Sequence, residues 1–194
     1  MAEKHWKPGE PKGDATQHLP GEILEARLRE RPADALEPGR VSLIVRRLDD
    51  GTRETLERAL LSREEGIPGD DWQKRPPRDP EAQLAVMQTS VARLIANGQP
   101  LTTFGDNLFV ELDLSAANLP TGTRVAVGQA IVEVTPKPHN GCSKFDARFG
   151  HDALRFVQAP ATRAENRRGS YWRIVTAGEV AVGDLVRVLH RGPA

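Results

Sequence analysis

The sequence is short of cysteine, of aromatic residues and of net charge, and each shortage excludes something. One cysteine in 194 residues rules out an internal disulfide, so a reducing cytoplasm is the expected compartment. Lys plus Arg and Asp plus Glu both number 27, so the strongly positive field typical of a nucleic-acid binder is missing. No apolar run approaches the roughly 20 residues that span a bilayer, and the opening stretch MAEKHWKPGEPKGDATQHLPG lacks the apolar segment of a secretory signal. Neither nucleic acid nor membrane is expected as a partner. Aromatics make up 5% of the chain against 17 Gly and 15 Pro, a turn-rich composition that favours many short elements over long helical bundles.

Residues 1–21 are polar and carry Pro8, Pro11 and Pro20, leaving little to bury. With a short helix through Ile23, Leu24 and Leu28, the stretch 1–40 reads as a flexible or loosely packed extension, ahead of a folded domain over 41–190. That domain is expected to start with a strand, Val41–Val45. Thr52 to Glu65 reads as a surface helix, because Leu56 and Leu60 lie one turn apart among charged residues and Gly66 stops it. A second helix is expected after Asp79 as N-cap and Pro80 as first helical residue, with Leu84, Met87, Val91, Leu94 and Ile95 on one face. Beyond Leu101 the apolar period falls to two, predicting strands at 109–112, 123–127, 130–135, 171–176 and 185–189. The tetrapeptide Val-Ala-Val-Gly recurs at 125–128 and 180–183, as adjacent hairpins of a barrel would repeat it. The fold class is mainly β with a few helices.

Cys142 follows the strand that ends near Thr135, within Pro136-Lys-Pro-His-Asn-Gly-Cys142, and precedes a short helical segment, Ser143–Phe149. Two prolines stiffen this loop, Gly141 permits close approach, and a helix N-terminus favours a thiolate. Lys137, His139, Lys144 and Arg148 add positive charge nearby. The setting suits a nucleophile, yet a free cysteine is as often a small buried hydrophobe. His139 either orients or deprotonates the thiol or is an exposed loop residue. Arg155, Arg163, Arg167, Arg168 and Arg173 crowd the following region. Guanidinium groups suit phosphate or carboxylate, with ordinary salt bridges to Glu165, Asp146 and Asp152 as the other reading. Asn107 either fixes its own turn or touches a ligand. Spacings for zinc and for phosphate loops are absent, so no metal site is expected.

Read in order, the motifs resemble the MOSC domain family, named from the C-terminal domain of molybdenum cofactor sulfurases. Gly66-Ile-Pro-Gly-Asp70 resembles its early G-x-x-G-D turn and Phe104-Gly-Asp-Asn-Leu108 its F-G-[DE]-N-[LF] signature. Gly122 to Val134 resembles its paired strands, and Pro138-His-Asn-Gly-Cys142 its cysteine loop. Arg168-Gly-Ser-Tyr171 and Ala177-Gly-Glu-Val-Ala-Val-Gly-Asp184 resemble its closing elements. The resemblance implies a compact closed β-barrel of complex topology, of the pyruvate-kinase-barrel-like type. It implies a Cys142 that carries sulfur as a persulfide, assisted by His139, for delivery to a molybdenum-pterin or other metal-sulfur centre. Cofactor-binding roles would fall to Lys137, Asn107, Lys144, Arg167, Arg168 and Tyr171, around molybdopterin. With no desulfurase domain and no pyridoxal phosphate in this chain, the sulfur donor would be external, such as a cysteine desulfurase, and the acceptor a molybdoenzyme or metal-sulfur protein. The rival reading is a non-enzymatic module that binds an anionic pterin or a partner protein. The chain departs from the family pattern where Pro136-Lys137-Pro138-His139 stands for a proline-arginine pair, and where Trp72–Asp79 replaces a histidine-glycine segment.

Overall fold

Residues 6–74 and 77–193 are described by the computed structural model. Its regular elements are α1 (Gly21–Glu30), β1 (Gly39–Arg47), β2 (Arg53–Leu56), β3 (Arg58–Leu61), β4 (Leu84–Gln88), α2 (Thr89–Ala96) and β5 (Leu108–Val110). They continue with β6 (Arg124–Val127), β7 (Ala130–Val134), α3 (Ser143–Phe149), α4 (His151–Gln158), β8 (Ser170–Thr176), β9 (Gly178–Ala181) and β10 (Leu185–His190). Among the described residues seven strands form a closed barrel in the order β1-β10-β6-β7-β8-β4-β5 and back to β1. Closure is made by Gly39 opposite Val186 and Arg40 opposite Leu185. The β4–β5 pair is parallel, whereas the other barrel pairs are antiparallel. Strand β2 extends the sheet beside the far half of β1, and β3 pairs with β9 apart from the barrel.

Successive side chains of a strand point to opposite faces, and three barrel strands use this to supply two cores. Ile44, Val86 and Leu108 face the barrel interior with Val125, Val132, Trp172 and Val186. Their neighbours Val45, Met87 and Phe109 face outward, where Leu24, Ile95, Phe104, Phe145, Phe149 and Phe156 cover them. Burying each such side chain fully is worth roughly 1.5–3 kcal/mol, so the helices are held to the barrel by the outer face of its own strands.

Several elements differ from the sequence expectation. The segment 52–65 is two strands and a turn, the turn closed by a bridge between Ser62 and Gly66. Ala59 and Leu61 are buried there while Leu60 is exposed, which is a strand alternation and not a helical face. Asp79 caps only a short 3-10 turn, Pro80–Ala82, by accepting the Glu81 N–H at 2.9 Å. Strand β4 and helix α2 then take the place of one long helix, because β4 is buried at every residue between β5 and β8 and shows no alternation. Within residues 6–40, Leu24 is fully buried and α1 lies against α2 and α4. Residues 1–5 of the expected extension lie outside the described residues. No helix among the described residues is long and apolar enough to cross a membrane.

Candidate functional site

Strand β7 releases the chain into the loop 135–142, which enters α3 with Cys142 as the residue before its first turn. The Asp146 N–H donates to the Cys142 carbonyl at 3.0 Å, and the Cys142 residue is exposed. Loop residues 135–140 line a cavity of about 240 Å³, whose other walls include Gln158 from α4 and the turn leading into β8. Lys137, His139, Arg163, Arg168 and Ser170 contribute polar groups to it. Cys142 is not part of its lining.

His139 lies under this loop with only 4% of its side chain exposed. Its ring packs on Tyr171, centroids 4.2 Å apart at a tilt of 35°. Burial, reinforced by the charges on Arg168 and Arg47, pushes its pKa well below the ordinary 6.5, so the ring is neutral at neutral pH. Its Nε2 stands 3.7 Å from Asp106 Oδ1, too far for a hydrogen bond and, with a neutral ring, not an ion pair. Nδ1 is buried without a hydrogen-bond partner. Burial, then the charge on Asp106, raises the Tyr171 phenol above its usual range.

Arg168 donates from Nη1 to both carboxylate oxygens of Asp106, each at 2.9 Å, and its guanidinium lies 5.1 Å from the Phe145 ring centre. Its Nε is buried and unpartnered. A buried donor left unsatisfied costs about 1–3 kcal/mol. His139 Nδ1 and Arg168 Nε are thus two buried nitrogens without partners on two residues that line one cavity. The backbone explains how Arg168 gets there. Gly169 sits at φ +87 with its α-carbon so close to β4 that a Cβ would lie 2.0 Å from the Val86 carbonyl oxygen, a position only glycine fits. The turn before it sends the two arginines apart. Arg167 binds Glu25 at 2.5 Å and Glu165 at 2.8 Å, with its guanidinium 4.3 Å from the Phe156 ring centre.

The expected site residues are therefore distributed unevenly. His139, Arg168 and Lys137 meet at the cavity with Tyr171 stacked behind, and Lys137 is ion-paired to Asp79. Cys142 opens the neighbouring helix, where Lys144 Nζ donates to Glu10 Oε2 at 2.6 Å. Arg167 points away to its acidic partners. Asn107 is buried inside the fold: its Oδ1 accepts the Ala85 N–H at 3.2 Å, and its Nδ2 donates to the Val45 carbonyl at 3.3 Å and to Asp70 at 3.0 Å. That amide ties β1, β4 and the turn at Asp70 together.

Sequence reading passed over Asp106, although it stands inside Phe104-Gly-Asp-Asn-Leu108 beside Asn107; its position in a quoted motif was the available signal. It also passed over the Arg47–Asp70 pair, in which Asp70 accepts from Arg47 Nη2 at 2.5 Å and from the Trp72 N–H at 2.9 Å. Burial raises the Asp70 pKa, but the hydrogen bond and charge of Arg47 outweigh it and hold the carboxyl below its usual range. Among the described residues no group of three or more His, Cys, Asp and Glu side chains converges as a metal cage.

The arrangement suits an anionic ligand with hydrogen-bonding edges, held next to a loop that ends in an accessible thiol. The family described as MOSC domain is matched over residues 70–187. No curated protein sequence matches the chain. Among solved structures, the YUAD protein from Bacillus subtilis superposes with a TM-score of 0.60 at 15% identity, covering 78% of this chain and 96% of that one. YiiM from Escherichia coli gives 0.55 at 19% identity, covering 80% of this chain and 72% of that one. YiiM from Geobacillus stearothermophilus gives 0.53 at 19% identity, covering 80% and 77%. At these identities the likeness is one of fold.

Proposed function

This chain belongs to the MOSC domain family, which spans more than half of it, and from that premise we propose that it binds an anionic pterin cofactor of the molybdopterin type in the cavity under the loop 135–140. The observation that carries the reading is the pair of buried, unpartnered nitrogens, His139 Nδ1 and Arg168 Nε, on residues lining a cavity that also presents Arg163 and the Asp79-paired Lys137. The residues fit the group. Arg168, Lys137 and Arg163 meet its negative charge, while His139 and Ser170 meet the polar edge of its ring system. Bound, the cofactor supplies a redox-active metal centre able to take sulfur ligands. This chain's own residues then have simple tasks. Arg168 is held in place by Asp106 and does not move to meet the ligand. His139, kept neutral by its surroundings, offers a hydrogen bond without adding charge. The reading implies a reducing, cytoplasmic setting, where the lone thiol stays available.

The test is retention of metal-free molybdopterin on the purified chain through gel filtration, read by pterin fluorescence. Wild type and Cys142→Ser are expected to retain it, and Lys137→Glu combined with Arg163→Glu to lose it. A folded wild type that retains none overturns the reading.

Exposure of Cys142 favours a second reading, a persulfide carrier. The Cys142 thiolate attacks the outer sulfur of a donor persulfide such as that of a cysteine desulfurase. A new S–S bond forms at Cys142, the donor's S–S bond breaks, and the donor leaves as a thiolate, with no net oxidation. In the reverse exchange a thiolate of the acceptor, a molybdoenzyme or metal-sulfur protein, attacks the outer sulfur, a new S–S bond forms on the acceptor, and Cys142 leaves as the thiolate. Intact mass after incubation with desulfurase and cysteine checks this: one reductant-sensitive sulfur is expected on wild type and none on Cys142→Ser. Absence of the added sulfur on wild type eliminates the carrier role for this donor.

A further inference from the structure

The segment 6–14 crosses helix α3, which Cys142 precedes, and the turn between β1 and β2. It is tied down along its length. The Gly9 N–H donates to the Asp50 carbonyl at 2.8 Å, Lys7 pairs with Asp71 at 2.7 Å, and Arg148 Nε donates to the Pro11 carbonyl at 2.8 Å. Gly51, at φ +94, lets the turn come so close that a Cβ there would stand 2.7 Å from Lys7 Cβ.

What this segment inserts is one carboxylate among three cations. Glu10 lies 2.6 Å from Lys144, 2.7 Å from Arg148 and 3.7 Å from Arg53, and its side chain is 8% exposed. Trp6 covers two of the same cations, its ring centre 5.4 Å from Lys144 Nζ and 5.2 Å from Arg148 Cζ. The other partners of Arg53 are the neutral carbonyls of Gly51 and Phe104. Among the described residues Glu10 is the one carboxylate in direct contact with these three cations, and Asp70 adds a negative charge that Arg53 feels from beyond contact. Burial, then Arg148 and Arg47, pushes the Arg53 pKa down to about 10. Lys144 and Arg148 stand on α3, whose first turn Cys142 precedes, so the cluster and the thiol share one helix.

A single carboxylate is a poor match for two forked guanidiniums and an ammonium, whereas a phosphate group has both the charge and the oxygens to engage them. We propose that Arg53, Lys144 and Arg148 form a phosphate-binding site beside Cys142, and that Glu10 is its built-in occupant, displaced together with the segment 6–14 when a phosphate-bearing ligand binds. In the intact chain Glu10 thus occupies the three cations until such a ligand arrives. The inference does not depend on the cofactor reading, because none of the three cations lines the cavity.

The experiment is calorimetric titration of the full chain with inorganic phosphate and, separately, with glycerol phosphate, for wild type, Glu10→Gln and Glu10→Gln/Lys144→Ala. Glu10→Gln is expected to bind at least about tenfold more tightly than wild type, a difference of about 1.4 kcal/mol, and the double variant to lose that gain. A stronger gain for glycerol phosphate identifies a monoester as the ligand class; equal gains identify the free ion. Unchanged affinity in folded Glu10→Gln, or a gain that survives Lys144→Ala, overturns the proposal. If Glu10→Gln fails to fold, Trp6→Ala loosens the segment without touching the carboxylate and is expected to tighten binding in the same direction; no tightening there overturns the proposal equally.

Discussion

Arg168 and Asp106 form an ion pair in which one guanidinium nitrogen reaches both carboxylate oxygens at 2.9 Å, and Asp106 has no solvent exposure. Breaking a buried pair by removing one member leaves an uncompensated charge. Asp106→Ala is therefore expected to destabilise the fold by about 3–5 kcal/mol, measured by urea unfolding. The double variant Asp106→Leu/Arg168→Met is expected to lose less than the single one. A loss under about 1 kcal/mol in Asp106→Ala would show that water reaches the pair.

His139 links stability to pH through its depressed pKa. The unfolded ring takes up a proton near its ordinary value of 6.5, while the folded ring resists until a lower pH. Below pH 6.5 the unfolded state thus binds more protons, and stability falls as pH falls, by at most about 1.4 kcal/mol per pH unit for one group. Urea midpoints between pH 7.5 and 5 are expected to drop more steeply for wild type than for His139→Gln. Parallel curves would mean that the ring titrates alike in both states.

Cys142 is exposed and its side chain fills no core position. Iodoacetamide is expected to alkylate the native protein nearly as fast as the protein in denaturant. Cys142→Ser should change stability by no more than about 0.5 kcal/mol, the usual range for a surface substitution. Slow native labelling relieved only by unfolding would contradict the exposure.

Asn107→Ala removes an amide that serves Ala85, Val45 and Asp70. Leaving those groups unsatisfied is expected to cost about 2–3 kcal/mol while pterin retention by the folded fraction stays unchanged. Thermal unfolding and the retention assay, run together, separate this structural role from a ligand contact.

Much of the barrel was legible because its second half alternates. Val125 and Val127 point inward while Arg124 is exposed, and Gly128 and Gly183 take the positive φ that tight turns require. The short helix after Cys142 was legible too. Residues 52–65 misled because Leu56 and Leu60 sit at helical spacing among good helix formers, whereas the buried pair is Ala59 and Leu61. Strand β4 misled for the opposite reason, since a strand buried on both faces carries no period to read. The loop with His139 and Cys142 could be found from local residue types. That His139 is buried against the cavity while Cys142 is exposed outside it could not, since the burial of His139 depends on Arg168, Asp106 and Tyr171. The bond from Lys144 to Glu10 joins residues 134 positions apart, and nothing in either neighbourhood announces the other.

Closure of the barrel by Gly39 opposite Val186 sets a schedule for synthesis on the ribosome. At about 5–20 residues per second, the first strand waits roughly 7–30 seconds for the last, with the hydrogen-bonding groups of one edge unpaired meanwhile. Glu10 waits almost as long for Arg148. A nascent chain halted before Leu185 is an open sheet, so the complete barrel forms only after nearly the whole sequence has emerged.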